Sequence, residues 1–319
     1  MTLRILITGG AGFIGSHLTK RHLAEGDDVH LLVRPETSLH RLADVLDRIA
    51  IHPVSLDDDD ALARCFTQVR PDYVYHMAVD TRRREMPGLL DAFACVNEDL
   101  LRFLRLLKAA SEAPKAPACF IQTGTLASYG PIEPPFRETQ REWPLTPYAA
   151  AKVSTTHFAH ALQSRLPFRI AVPRLALIFG PGQSEEFLIP HLIANCMAGR
   201  PSRIQRPEDR RDLLHVDEAV DGLRQLAIRA PEGMTLVNIA SGIAPSMREV
   251  AEYIVQATDA DPGLVEFGDG QPSGVCELRC FTELAKELIG WSSREHWTLG
   301  IKRLVAELRG RTPERAVAA

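Results

Sequence analysis

Tyr148 and Lys152 stand four residues apart in the segment Tyr148-Ala149-Ala150-Ala151-Lys152. On a helix, that spacing puts both side chains on one face. A phenol of ordinary pKa, near 10, is a poor proton carrier at neutral pH. An ammonium one turn away favours the phenolate and brings the pKa towards the working range. The Tyr-x-x-x-Lys pattern is common by chance, so it gains force only from a third group. Thr125 is that group: it comes just after an apolar run, about 23 residues before Tyr148. The carboxyl ends of strands in a parallel sheet face the ligand crevice, so Thr125 and Tyr148 can reach one carbonyl oxygen. The chemistry this suits is proton transfer coupled to reduction of a ketone or oxidation of an alcohol.

Such chemistry needs a hydride carrier. Thr8-Gly9-Gly10-Ala11-Gly12-Phe13-Ile14-Gly15 joins the first apolar run to the first helical pattern. Gly9, Gly12 and Gly15 allow a tight turn and close approach of backbone to a pyrophosphate. The amides opening the helix, at Phe13 and Ile14, then point at that anion. A glycine fingerprint alone is weak, but the strand-to-helix junction is the context it requires. A dinucleotide site usually carries an acid about 20 residues further on, to bond the ribose 2′-hydroxyl. Here that position is Val33, with Arg34 next to it. A guanidinium there can pair with a 2′-phosphate, which favours NADP(H) and leaves NAD(H) as the alternative. The plainer reading of Arg34 is a solvated arginine at a strand end, and Arg41 either assists it or is helix surface.

These groups require a scaffold. The chain has 319 residues, 45% hydrophobic and 24% charged, as expected for a globular protein that buries a sizeable core. Apolar runs at 3–8, 29–33, 73–77, 118–123 and 170–179 are rich in Val, Ile and aromatics. Helical patterns at 14–25, 59–68, 89–111 and 147–165 separate them. Strands apolar on both faces, alternating with helices, predict an α/β fold: a Rossmann-type doubly wound parallel sheet. Beyond residue 180 the texture changes. Helical patterns at 187–198, 216–227, 246–258, 284–288 and 299–308, a run at 236–240 and a polar stretch with five arginines at 200–211 suggest a smaller α/β substrate lobe. The dinucleotide-binding domain is expected to span 1–180, with returning segments at about 212–242, and the lobe 181–319; the tail from Arg309 reads as frayed. A net charge of −4, from 37 basic and 41 acidic residues, argues against nucleic acid as a partner. No apolar stretch is long enough for a membrane span or a signal sequence. The six cysteines are scattered without zinc-ligand spacing, so no metal, reduced thiols and a cytoplasmic setting are expected.

The chain resembles the extended short-chain dehydrogenase/reductases, the nucleotide-sugar epimerase/dehydratase/reductase family. The resemblance rests on eight segments in order: 8–15; 72–78; Val96-Asn97; Thr123-Gly124-Thr125 with Tyr129-Gly130; Tyr148 with Lys152; Arg174 through Gly180-Pro181-Gly182-Gln183; Arg211 to Asp217; and Leu288-Ile289-Gly290-Trp291. It implies Tyr148 as general acid/base, Lys152 as ligand of the nicotinamide ribose and tuner of Tyr148, and Thr125 as holder of the reacting oxygen. Ala78, Asn97 and Thr123 fall in segments implied to line the cofactor; His76 reads better as a packed strand residue. Arg211 would meet the phosphates of a nucleotide sugar, its plainer reading being an ion pair with Asp212. The departures are informative too. The family's dehydratases carry Asp-Glu directly after the threonine, whereas here Leu126-Ala127 takes that place, which disfavours 4,6-dehydration. Leu177 and Ser55 replace a substrate-binding Asn and an adenine-binding Asp. Gln271-Pro272-Ser273-Gly274 lacks a second phosphate arginine, for which Arg279 is a substitute. The expected activity is NADPH-dependent reduction of a keto-sugar nucleotide, a 4-keto-6-deoxyhexose 4-ketoreductase. The alternatives are an NAD-dependent C4 epimerase, a reductase of a non-nucleotide ketone, and an NADP-sensing regulator without turnover. The resemblance also implies a homodimer through two helices per subunit, one of them the leucine-rich 89–111 segment.

Overall fold

The computed structural model describes residues 2–79, 88–270 and 275–310. Its centre is a parallel sheet. Strands β1 (Arg4–Thr8), β2 (Asp28–Val33), β3 (Ala50–Pro53), β4 (Tyr73–His76), β5 (Cys119–Gln122), β6 (Gly124–Thr125) and β7 (Arg169–Leu175) precede β8 (Leu177–Phe179), β9 (Ser202–Ile204), β10 (Arg210–Arg211), β11 (Leu213–His215) and β12 (Met234–Ile239). The sheet order is β12-β7-β5-β4-β1-β2-β3, with β6 also paired to β7. The order reverses between β1 and β4, and there the loops leaving adjacent strands turn to opposite faces and open a crevice.

The helices are α1 (Phe13–Ala24), α2 (Asp59–Val69), α3 (Leu90–Cys95), α4 (Arg102–Glu112), α5 (Pro147–Leu162), α6 (Leu188–Met197), α7 (Val216–Arg229), α8 (Met247–Thr258), α9 (Glu283–Ile289) and α10 (Trp297–Gly310). The pleat explains the two layers. Ile5, Ile7, Tyr75 and Ile121 face one core with Leu18 of α1 and Leu223 of α7. Leu6, Val74 and Phe120 face the other with Phe66 of α2 and Phe103 of α4. A third core is built from Phe179, Leu192, Ile254 and Leu304. Two short strands, β13 (Val265–Phe267) and β14 (Glu277–Leu278), pair in parallel with β9 and β10.

The structure departs from the sequence reading in five places. β3 went unread because it is a four-residue edge strand with an alternating, half-exposed pattern. The apolar run 170–179 is two strands: β7 stays in the sheet, while β8 leaves it to pair with β11. The helix at 89–111 is interrupted by a π-helical turn, Val96–Leu101. The arginine-rich stretch supplies β9 and β10. α10 runs through Gly310, so Arg309 is helical, and its guanidinium bonds Asp259 Oδ2 at 2.8 Å. The segment Gln271-Pro272-Ser273-Gly274 and the tail beyond Gly310 lie outside the described residues. Among the described residues no helix is long and apolar enough to cross a membrane, no metal-holding cluster occurs, and no cysteine is in a disulfide.

Candidate active site

Backbone geometry alone dictates the loop between β1 and α1. Gly9 has φ of +70°, and a Cβ there would lie 2.6 Å from the Ala78 amide nitrogen. A Cβ at Gly15 would lie 2.1 Å from the Gly9 carbonyl oxygen. Gly12 caps α1 in an extended conformation, no side chain caps the helix, and no acid stands in its first turn. The helix therefore presents open amides and a positive dipole end to the crevice, which suits a pyrophosphate. Ala78 is part of the same construction: its amide donates to Thr8 Oγ1 at 3.3 Å, and Thr8 Oγ1 bonds His76 Nδ1 at 2.6 Å. His76 is fully buried and held neutral, with burial pushing its pKa down to about 3. It is a packed strand residue.

Two cavities meet at this loop, sharing Gly9, Gly12, Arg41, Met77 and Val79. The first, about 490 Å³, is lined by Phe13, Ile14, Gly15, Thr123, Thr125, Tyr148, Leu175, Leu177, Gln183 and Phe187, among others. No carboxylate is among its described lining residues. The second, about 680 Å³, runs past the end of β2 and holds Val33, Arg34, Glu36, Ser38, Arg41, Ser55, Glu98, Asp99 and Arg102. Together they fit an extended dinucleotide: a flat apolar slot by Tyr148, a glycine cradle in the middle, and a polar pocket beyond. Ser55 stands where the adenine end would lie. Arg34 is in that polar pocket but 3.6 Å from Glu36, and both side chains are largely solvent-exposed. Arg41 donates through Nε to the Gly182 carbonyl at 3.0 Å, so it ties the pocket to the Gly180-Pro181-Gly182 turn.

The Tyr/Lys helix begins as its sequence suggests. Thr146 caps it by accepting from the Ala149 amide at 3.2 Å, and Pro147 takes the first helical position. Tyr148 and Thr125 both line the first cavity. The Lys152 ammonium lies 5.9 Å from the Tyr148 ring centre. Lys152 is buried, and its Nζ is 3.1 Å from Asp99 Oδ1, on the π-helical turn. Sequence reasoning missed that carboxylate. Its signal is an acid in an otherwise apolar helical stripe, Cys95, Asp99, Phe103 and Leu106. The expected electrostatics are reversed as a result. The Tyr148 pKa is raised, first by burial and then by the Asp99 charge, and the nearby Thr125 hydroxyl only partly offsets this.

The remaining predicted residues separate. Asn97 is exposed on the π-helical turn, and its neighbours Glu98 and Asp99 line the second cavity instead. Arg211 and Arg279 are brought close together by the β10–β14 pair but do not line either cavity. Arg211 bonds Asp209 at 2.7 Å, not Asp212, and donates to the Cys276 carbonyl at 3.0 Å. Asp212 instead accepts from Ser241 and Gly242 amides at 2.8 and 2.9 Å. Arg279 pairs with Glu277 at 2.6 Å.

Similarity to known proteins agrees with this geometry. A family model described as the NAD dependent epimerase/dehydratase family matches residues 5–240. A dTDP-glucose 4,6-dehydratase of Streptomyces griseus is 31% identical over 84% of this chain and 82% of its own. A UDP-glucose 4-epimerase of Thermotoga maritima, solved with UDP-glucose, superposes with a TM-score of 0.86 at 23% identity, covering 96% of this chain and 98% of the other. One from Thermus thermophilus in complex with NAD has a TM-score of 0.82 at 24% identity, covering 97% and 100%. At these identities the two structures establish the shared fold.

Proposed function

The chain belongs to the NAD-dependent epimerase/dehydratase family, and from that premise we propose that it reduces the C4 ketone of a 4-keto-6-deoxyhexose nucleotide with NADPH. The observation that carries this reading is that Thr125 and Tyr148 line one cavity, with no carboxylate among its described lining residues. Removal of water from a sugar needs an acid and a base beside the threonine, and Leu126-Ala127 supplies neither. A neutral phenol beside a hydroxyl is what protonation of a developing alkoxide needs.

The glycine loop and α1 would hold the pyrophosphate, Lys152 the nicotinamide ribose, and Arg34 with Arg41 a 2′-phosphate. The dinucleotide, when bound, supplies a hydride to the carbonyl carbon. Thr125 holds the carbonyl oxygen through its hydroxyl. Tyr148 passes its phenolic proton to that oxygen as negative charge develops there. The apolar walls from Phe13, Ile14, Leu175 and Phe187 exclude water around the reacting carbon. Arg211, with Arg279, would meet the substrate phosphates after a rearrangement of their present ion pairs.

Glu36 favours a second reading. A carboxylate in the pocket beyond β2 suits a ribose 2′-hydroxyl, as in an NAD-dependent C4 epimerase, and the named relatives include epimerases. One experiment separates them. NADPH oxidation is monitored with a keto-sugar nucleotide, beside NADH and beside Tyr148→Phe. Net NADPH oxidation, with kcat lower by about 10²–10⁴ in Tyr148→Phe, is expected. Unchanged turnover in that variant removes the proposed acid, and an equal or better response to NADH removes the role of Arg34.

Homodimerisation is proposed on the exposed apolar side of the first helical pair. The apolar residues expected to pair are partly spent inside the subunit, since Phe103, Leu106 and Leu107 are buried. Exposed instead are Leu90, Phe93 and Val96, about two to four turns earlier, and Phe158 on α5. Light scattering should give the mass of two chains, and of one chain for Phe93→Glu; a parent mass of one chain refutes the dimer.

A further inference from the structure

Asp99, the carboxylate buried behind Tyr148, takes no part in the hydride and proton transfers. Asp99 and Lys152 are 2–3% exposed, with Nζ and Oδ1 3.1 Å apart. They come from different elements: Lys152 from the second turn of α5, Asp99 from the π-helical turn between α3 and α4. A π turn inserts a residue into the helical register and re-aims the side chains beyond it, and such turns often occur at functional sites. Here the turn brings a carboxylate to the ammonium from the side of the second cavity, which Asp99 helps to line. Removing a charge from water is costly, so a buried carboxylate persists only when compensated, and Lys152 provides the compensation.

We propose that Asp99 is a positioning residue for the catalytic pair: its ion pair fixes the Lys152 ammonium and cancels its charge, so that Tyr148 is held as a neutral proton donor. This rests on Tyr148 being the acid of a carbonyl reduction. An ammonium has three donors, and Asp99 engages one, leaving the others for ribose hydroxyls. Among the described residues the groups facing Tyr148 and Lys152 are few. Cys95 and Asp99 come from the α3 side and Thr125 from β6. His76 comes from β4, is neutral, and senses the Lys152 charge together with that of Arg102. Arg102, three residues beyond Asp99, is itself occupied by Asp57 at 2.7 Å. Among the described residues Asp99 is thus the negative charge that opposes Lys152 at this site, and its field disfavours the phenolate.

The test is made on the full chain without substrate, by recording tyrosinate absorbance from about pH 8 up to the highest pH at which circular dichroism shows parent and variant still folded. The Tyr148 contribution is isolated by subtracting the same titration of a Tyr148→Phe variant in each background. In Asp99→Asn the Tyr148 signal should emerge about one pH unit or more lower than in the parent, because the ammonium is then unopposed. Asp99→Glu, which keeps the charge, should restore the parental titration. Asp99→Ser carries the test if the asparagine variant does not fold. In turnover the alkaline limb of kcat/KM should move the same way, with kcat changed more than the KM for the dinucleotide. Coincident Tyr148 titrations in parent and Asp99→Asn overturn the proposal. Because they need no substrate, they do so whether or not the reductase reading survives.

Discussion

The glycine loop and the arginine strands of the second lobe are both anion-binding candidates, and they are built in opposite ways. The first is made of backbone: open amides at the start of α1, and positions such as Gly15 where a Cβ would collide with a carbonyl. The second is made of long side chains on or just beyond strands two residues long, each already engaged by a nearby carboxylate. A backbone site is formed before its ligand arrives. A side-chain site must exchange one partner for another, and the exchange costs part of the binding energy.

The largest expected effect comes from disturbing the preformed half. In Gly15→Ala the new methyl would lie 2.1 Å from the Gly9 carbonyl oxygen, a backbone atom that cannot swing aside. The loop has to shift by about an ångström, and misplacement of that size costs about 10² in affinity or rate. Dinucleotide binding, measured by calorimetry, should weaken by about 100-fold or more while the far-ultraviolet circular dichroism stays parental. Binding within a few-fold of the parent would mean that the loop is as adaptable as the lobe, and the contrast would fail.

The same contrast explains what could be read from residue order. The loop was legible because only glycine satisfies its geometry, and Tyr148 with Lys152 because a four-residue period is a helical face. The sheet was legible where strands are buried on both sides, as at Leu6 and Ile7, and illegible at β3, which lies at the edge with a half-exposed pattern. Asp99 was missed because its partner lies 53 residues away across α5, and nothing local marks a paired acid. The direction of the Tyr148 shift was misread for the same reason. An ammonium at i+4 predicts a lowered pKa only if nothing opposes it, and both burial and Asp99 do. The plainer reading of Arg211 paired it with Asp212, its neighbour in sequence; on a strand, adjacent side chains point to opposite faces, and Asp209, two residues back, takes the pair instead.

Arg211 gives the smaller effect and the sharper test. Burial pushes its guanidinium pKa down and Asp209 pulls it back, so the arginine stays charged, braced against the Cys276 carbonyl. If it turns from Asp209 to a substrate phosphate, it trades one charge-assisted bond for another, and only the difference appears as affinity. Arg211→Ala should therefore raise the KM for the nucleotide sugar about tenfold, worth about 1.4 kcal/mol, with kcat nearly unchanged. Asp209 keeps a second cation, with Arg206 Nε 3.4 Å away, so the lobe should remain folded. Arg211→Lys should recover only part of the loss, since an ammonium lacks the planar fork that grips a phosphate. Dinucleotide affinity should not move. An unchanged KM would make Arg211 a brace for β14, whereas a parallel fall in dinucleotide affinity would show that the two anion sites are one mechanical unit.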